Sequence, residues 1–223
     1  ADINMHMIFT GNPGTGKTTI ARILSKYLKA IGALRGGQLV EVTRADLVGR
    51  YVGHTAPLTN TVIQSALGGV LFIDEAYSLY RGGEDSFGLE AIDTLVKGIE
   101  DHRNDLVVIL AGYTKEMQLF LSANSGLASR FPNQIEFPDY TGAELYKILL
   151  SIAKSKGYRL DESCEQPLTE WFDRRQAEDA ATNGNGRMAR NALEKAILNQ
   201  SRRLIADPAA SLELLLPGDF ELE

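Results

Sequence analysis

Residues Gly11 to Thr18 read GNPGTGKT, a glycine-rich run closed by a lysine and a hydroxyl residue in the spacing GxxxxGK[ST]. Gly11, Gly14 and Gly16, with Asn12, Pro13 and Thr15 between them, let backbone amides converge on a phosphate chain. Lys17 would neutralise the outer charges of that chain, and Thr18 would ligate magnesium. Thr19 continues into a helix whose positive dipole end meets the same anion. A glycine-rich turn without function would not match every position between a strand and an amphipathic helix. The pattern implies a seat for a nucleoside triphosphate.

A second group follows downstream. Val70, Leu71, Phe72 and Ile73 form an apolar strand that ends in Asp74 and Glu75. Such a strand delivers two acids to the edge of a sheet. There Asp74 would hold magnesium, and Glu75 would orient and deprotonate the water that attacks the γ-phosphate, because phosphoryl transfer needs mainly positioning and charge compensation. Two acids after a strand are a modest signal alone, since acids also cap helices; joined to the phosphate loop they point to a hydrolase. The NKxD sequence that reads guanine in GTPases does not occur.

The elements that must carry these residues are visible in the hydropathy pattern. Met7 to Thr10 form a short apolar strand before the loop. After it, Ile20, Ile23, Leu24, Tyr27, Leu28 and Ile31 recur at helical spacing. Further β-rich segments at Gln38–Thr43, Gly69–Ile73, Leu106–Ala111 and Gln134–Phe137 are separated by stretches long enough for crossover helices, which predicts an α/β fold with a five-stranded parallel sheet flanked by helices. Pro138 to Thr141 read as a linker and helix N-cap. Three helical periods follow, with a polar, glycine-rich loop at Asp179–Gly186 before the last. The expected division is an α/β domain over 1–138, a small helical lid over 139–206, and an acidic, leucine-bearing tail over 207–223 to which the sequence assigns no role.

Composition bounds the rest. With 223 residues, 44% of them hydrophobic, and a formal net charge of −6, the chain has enough apolar residues for a real core and no block of like charge. That excludes disorder, collagen and coiled coil, and argues against a dedicated nucleic-acid or anionic-membrane binder. Cys164 is the single cysteine, so neither an intrachain disulfide nor a thiolate metal cluster can form, and a reducing, cytoplasmic compartment fits. His6, His54 and His102 are scattered and read as ordinary hydrogen-bonding residues rather than metal ligands. No apolar run approaches the ~20 residues that span a bilayer.

The ordered set GNPGTGKT, RYVG (Arg50 to Gly53), LFIDEAY (Leu71 to Tyr77) and LASRF (Leu127 to Phe131) resembles an AAA+ ATPase. In addition, DLVGRYVGHTAP, GGVLFIDEAYSLYRGG, LVVILAGY and IEFPDY resemble the CbbX/CfxQ/SpoVK family, which contains the red-type Rubisco activase, the stage V sporulation protein K and the ATPase domain of a type VII secretion component. The resemblance runs from about Met7 to about Leu204. It implies ATP and Mg2+ as ligands, a homo-oligomer, hexameric in the full-length protein, and a protein substrate threaded or pulled through a ring pore. It gives Arg130 the role of an arginine finger reaching a neighbouring subunit's γ-phosphate, and Arg187, with Arg190 as a competing choice, that of the sensor 2 arginine. The sensor 1 position falls on Tyr113 or Thr114. Tyr51, Val52 and Gly53 correspond to the pore loop, and Arg81 to Ser86 to a second one.

Two alternatives stay open at this point: a nucleic-acid motor or loader, and within the family a red-type Rubisco activase. Ala76 to Leu79 followed by Arg81, Gly82 and Gly83 look more like the sporulation branch. The resemblance also implies helical sequence ahead of the first strand, packing on adenine. Only ten residues precede Gly11, and the first residue is Ala1, so the chain reads as a processed or excised piece.

Overall fold

A computed structural model of the chain describes residues 4–223. The first of two compact units takes the chain up to Gly11 and then Gly16–Phe137; the second takes Asn12–Thr15 and Pro138–Glu223.

The first unit is built on five parallel strands, β1 (Met7–Gly11), β2 (Leu39–Val42), β3 (Val70–Ile73), β4 (Val107–Gly112) and β5 (Asn133–Phe137), in the spatial order β2-β3-β4-β1-β5. Parallel neighbours need crossovers, and helices supply them: α1 (Lys17–Ala30), α2 (Arg44–Leu47), α3 (Thr55–Ala66), α4 (Ser86–Asp101), α5 (Thr114–Ala123) and α6 (Ser125–Ala128). Buried parallel strands read as continuous apolar runs, and β3 and β4 have no exposed position. Alternation then sorts their side chains. Leu71, Ile73, Val108 and Leu110 pack with α3, α4 and α5 on one face, while Val70, Phe72, Val107 and Ile109 pack with Ala21 and Leu28 of α1 on the other.

The face that α1 buries is the narrow one of Ala21, Ser25 and Leu28. Ile20, Ile23, Tyr27 and Ile31, the residues that mark the helical period most clearly, are each about half exposed. Periodicity thus located the helix, but its small residues make the close contact with the sheet.

The second unit contains α7 (Gly142–Ser155), α8 (Glu165–Asp179) and α9 (Gly186–Ala206) around a core of Leu145, Leu149, Leu168, Phe172, Leu193 and Ala196. Thr141 caps α7 in a capping box with Glu144, as its position after Pro138 suggests. Residues 207–223 join this core. Leu214–Leu215 pair in parallel with Arg159–Leu160, Leu215 and Phe220 are buried, and Asp219 holds Arg203 through a 3.0 Å contact. This small ladder is an addition to the helices expected from the pattern; two-residue strands leave no periodic signal.

His6 shows what burial does to a titratable group. It is 4% exposed, its Nδ1 accepts the Val108 amide at 2.9 Å, and its ring lies 5.7 Å from Phe131. Burial lowers its pKa from 6.5 to about 4, so the folded protein holds a neutral imidazole where the unfolded chain binds a proton. Stability should therefore fall as pH drops from 6.5 towards 4, by an amount on the order of 2–3 kcal/mol across the window. Urea denaturation at a series of pH values checks this: His6→Gln should flatten the slope, and equal slopes in variant and parent would contradict it.

Candidate active site

Because all five strands run parallel, their carboxyl ends meet at one edge, and the register places the expected residues along it. Ile73, Leu110 and Ile8 share one row, so Asp74, Glu75, Gly112 and the start of the glycine-rich loop after Gly11 reach the same edge. β4 lies between β1 and β3, so two strand spacings, roughly 10 Å, separate the strand that ends in the acids from β1.

The loop's backbone needs its glycines. Gly14 and Gly16 have φ of 74° and 97°. A Cβ on Gly11 would lie 2.4 Å from the Phe137 carbonyl oxygen, and one on Gly14 would lie 1.8 Å from that of Gly184. Gly16 caps α1 without a side-chain hydrogen bond and the first turn carries no acid, so no side chain of that turn offsets the positive end of the helix dipole. Lys17 is half-buried and its Nζ donates to the Gly11 carbonyl at 2.8 Å. Thr18 is half-buried too. Together with Asp74 it offers only hard oxygen donors, the chemistry that suits magnesium.

Asp74 is half-buried, and its Oδ1 accepts the Glu75 amide at 2.9 Å. Glu75 is exposed and holds φ 49°, ψ 46°, a left-handed conformation unusual outside glycine. Such strain persists where the surroundings over-determine it and clusters at functional sites. Tyr113 caps α5 at the end of β4, and its ring stacks on Tyr77 at 6.0 Å between centroids. Burial, and after it the charge of Glu75, pushes the Tyr77 phenol up to about 12, so it stays a hydrogen-bond donor. Thr114 is the first residue of α5.

Other expected residues lie elsewhere. Arg130 precedes β5 and therefore stands at the opposite, amino edge of the sheet, where Asn4 donates to its carbonyl. The length of a five-residue strand, roughly 16 Å, separates the two edges. Its guanidinium donates to the Gly126 carbonyl and pairs with Glu100 at the surface. Exposed pairs of that kind contribute ~0–1 kcal/mol. Tyr51 and Val52 are 67% and 87% exposed, and Gly53 holds φ 84° with open space around it. Arg187 and Arg190 are exposed near the start of α9 in the second unit.

The amino-acid sequence alone did not single out an ion pair beside the acids. Arg44 donates to both Asp85 oxygens, at 2.6 and 3.1 Å, and to the Ser78 carbonyl at 2.9 Å, while Asp85 caps α4 through the Gly88 amide. The pair anchors the end of the segment from Arg81 to Ser86, and Arg44 holds the Asp85 carboxyl below the usual carboxylate range.

Sequence comparison adds the family. The pattern described as "ATPase family associated with various cellular activities (AAA)" matches residues 7–139, and that of the AAA lid domain matches 141–223. The chain belongs to the AAA ATPase family. Stage V sporulation protein K of Bacillus subtilis (strain 168) is 49% identical over 202 residues, covering 90% of this chain and 63% of that relative. Ribulose bisphosphate carboxylase/oxygenase activase, chloroplastic, of Cyanidioschyzon merolae is 46% identical, covering 93% of this chain and 71% of the relative. Protein CbbX of Cereibacter sphaeroides is 46% identical, with 94% and 67% covered. This AAA chain thus spans about two thirds of the length of such relatives. The FIGL-1 AAA domain in complex with ADP superposes with a TM-score of 0.66 at 18% identity, covering 98% of this chain and 70% of that one, and shares its fold. Among the described residues no helix is long and apolar enough to cross a membrane.

Asp85→Ala leaves the half-buried Arg44 guanidinium without its carboxylate and removes the cap of α4. The expected loss is about 3 kcal/mol in urea denaturation. A loss below about 0.5 kcal/mol would place the pair among ordinary surface contacts.

Proposed function

We propose that this chain is an ATP-hydrolysing AAA+ module that assembles into a ring, hexameric in the full protein, and uses turnover to remodel a protein substrate. The observation that carries the reading is the uncapped amino end of α1, set beside Lys17 and behind glycines at positive φ, on the sheet edge that also receives Asp74 and Glu75. Loop amides and Lys17 bind the phosphate chain. Glu75 positions the attacking water and takes its proton. Thr18 and Asp74 would hold magnesium, which would supply charge compensation to the phosphates. Tyr113, and Arg187 from the second unit, serve as sensors of the nucleotide.

Arg130 acts on a neighbour's nucleotide. Its place at the amino edge keeps it from the phosphates of its own loop, which supports a finger delivered in trans. A site with one lysine leaves charge uncompensated in the transition state, and an added arginine is worth ~10³–10⁵ in rate. The exposed Tyr51 and Val52, next to a glycine free to bend, support a loop that grips an extended polypeptide by apolar contact rather than by sequence. The sporulation and Rubisco-activase relatives, at 49% and 46% identity, support this reading.

Two variants test the scheme together. Glu75→Gln should bind ATP yet turn it over at least ~10²-fold more slowly, and Arg130→Ala should lose about 10³-fold. Mixed in equal amounts, the two should recover turnover, because an intact Glu75 then meets an intact Arg130 from the next subunit. Mixtures no faster than either variant would contradict action in trans.

A further inference from the structure

The segment Asn12–Thr15 packs with the second unit, and the way it is held reaches beyond the motif itself. Each of its carbonyls is engaged separately. Asn12 O accepts from Thr15 Oγ1 at 2.8 Å, Pro13 O from Asn185 Nδ2 at 3.4 Å, Gly14 O from the Gly186 amide at 2.9 Å, and Thr15 O from the Tyr140 hydroxyl at 2.9 Å. The Asn12 side chain donates to Asp139 at 2.9 and 3.1 Å. A trans peptide is planar, and its N–H points away from the carbonyl of the preceding residue. Fixing the carbonyls of 13, 14 and 15 therefore turns the amides of Gly14, Thr15 and Gly16 to the opposite side, where converging N–H groups make an anion seat.

Asn185 is the centre of this arrangement. It is fully buried, with φ 47° and ψ −112°, outside the regions that side-chain-bearing residues normally occupy. Its Oδ1 accepts from the Tyr140 amide at 3.0 Å and from Gln176 Nε2 at 2.6 Å. Its Nδ2 donates to Asp139 and to the Pro13 and Ala180 carbonyls, and its own amide is held by Asn183. A glycine would adopt this backbone without strain, so a turn alone does not call for asparagine. The amide side chain, with donor and acceptor at one terminus, does.

We propose that Asn185 and Tyr140 are positioning residues that fix the peptide planes of the phosphate loop and so preset its amides for the triphosphate. The inference rests on the nucleotide reading above. Asn185 sets Asp139 and Tyr140 in place, and Tyr140 locks the Thr15 carbonyl, just ahead of the Gly16 cap of α1. Burial raises the Tyr140 phenol, keeping it a donor.

The test compares Tyr140→Phe and Asn185→Gly with the parent chain, reading affinity for ADP·Mg and for AMP by titration calorimetry, and the nucleotide-free melting temperature. Both variants should bind ADP·Mg about tenfold more weakly, a change of ~1.4 kcal/mol, with a smaller loss for AMP, whose single phosphate meets fewer loop amides. A merely structural role would shift the melting temperature and weaken both nucleotides alike. If Asn185→Gly, which relieves the strained backbone, or Tyr140→Phe, which removes one hydroxyl, binds ADP·Mg as tightly as the parent, the proposal is overturned. Should Asn185→Gly fail to fold, Tyr140→Phe decides alone. A parent that binds neither nucleotide would instead refute the nucleotide reading itself.

Discussion

The amino end of α1 has no side-chain cap and no acid in its first turn. A helix start leaves its first amides without intrahelical partners, and most helices answer with a serine, threonine or acid. Here the cap is Gly16 at φ 97°, the first turn holds no acid, and a lysine follows at once. The sequence keeps a costly, anion-seeking arrangement in a half-buried setting, and the surrounding structure serves to hold it in one shape.

That constraint explains the glycines and their neighbours. The loop runs so close to Phe137 and Gly184 that a Cβ at Gly11 or Gly14 would collide with backbone oxygen. Its carbonyls are spent on donors from Asn185, Gly186 and Tyr140, which leaves amides for a ligand. On the sheet edge the same economy appears at β3, where an all-apolar strand ends in a carboxylate and a strained Glu75. A stiff, doubly buried strand supplies the rigidity that such strain requires.

Much of this was legible in the amino-acid order because it is written in local patterns. The loop consensus, the apolar run before Asp74 and the helical periods each reflect short-range physics, and they located all five strands of the main sheet. What stayed hidden depends on residues distant in sequence. Nothing near Arg44 announces Asp85, and nothing near Asn12 announces Asp139 or Asn185; these partners are visible only once the chain is folded. Asn185 left one trace, an asparagine just before a helix that opens with glycine, and asparagine tolerates positive φ better than most residues. The two-residue ladder joining Leu214–Leu215 to Arg159–Leu160 is too short for any periodicity. The apolar stripe of α1 misleads about packing, since Ala21, Ser25 and Leu28 make the contact while Ile23 and Tyr27 face outward.

Arg130, in the proposed scheme, ties the single chain to its assembly. It stands at the amino edge of the sheet, away from the acids that follow β3. Under the proposed scheme hydrolysis would be a property of neighbours, and in the single chain Arg130 pairs with Glu100 at the surface.

The most direct measurement of the central claim is a crystal structure of the chain grown with ADP and magnesium. The account predicts the β-phosphate within hydrogen-bond distance of the amides from Gly14 to Thr18, with Lys17 moved from the Gly11 carbonyl to a phosphate oxygen. A nucleotide bound elsewhere, with Lys17 still on Gly11 and the loop closed on itself, would contradict it.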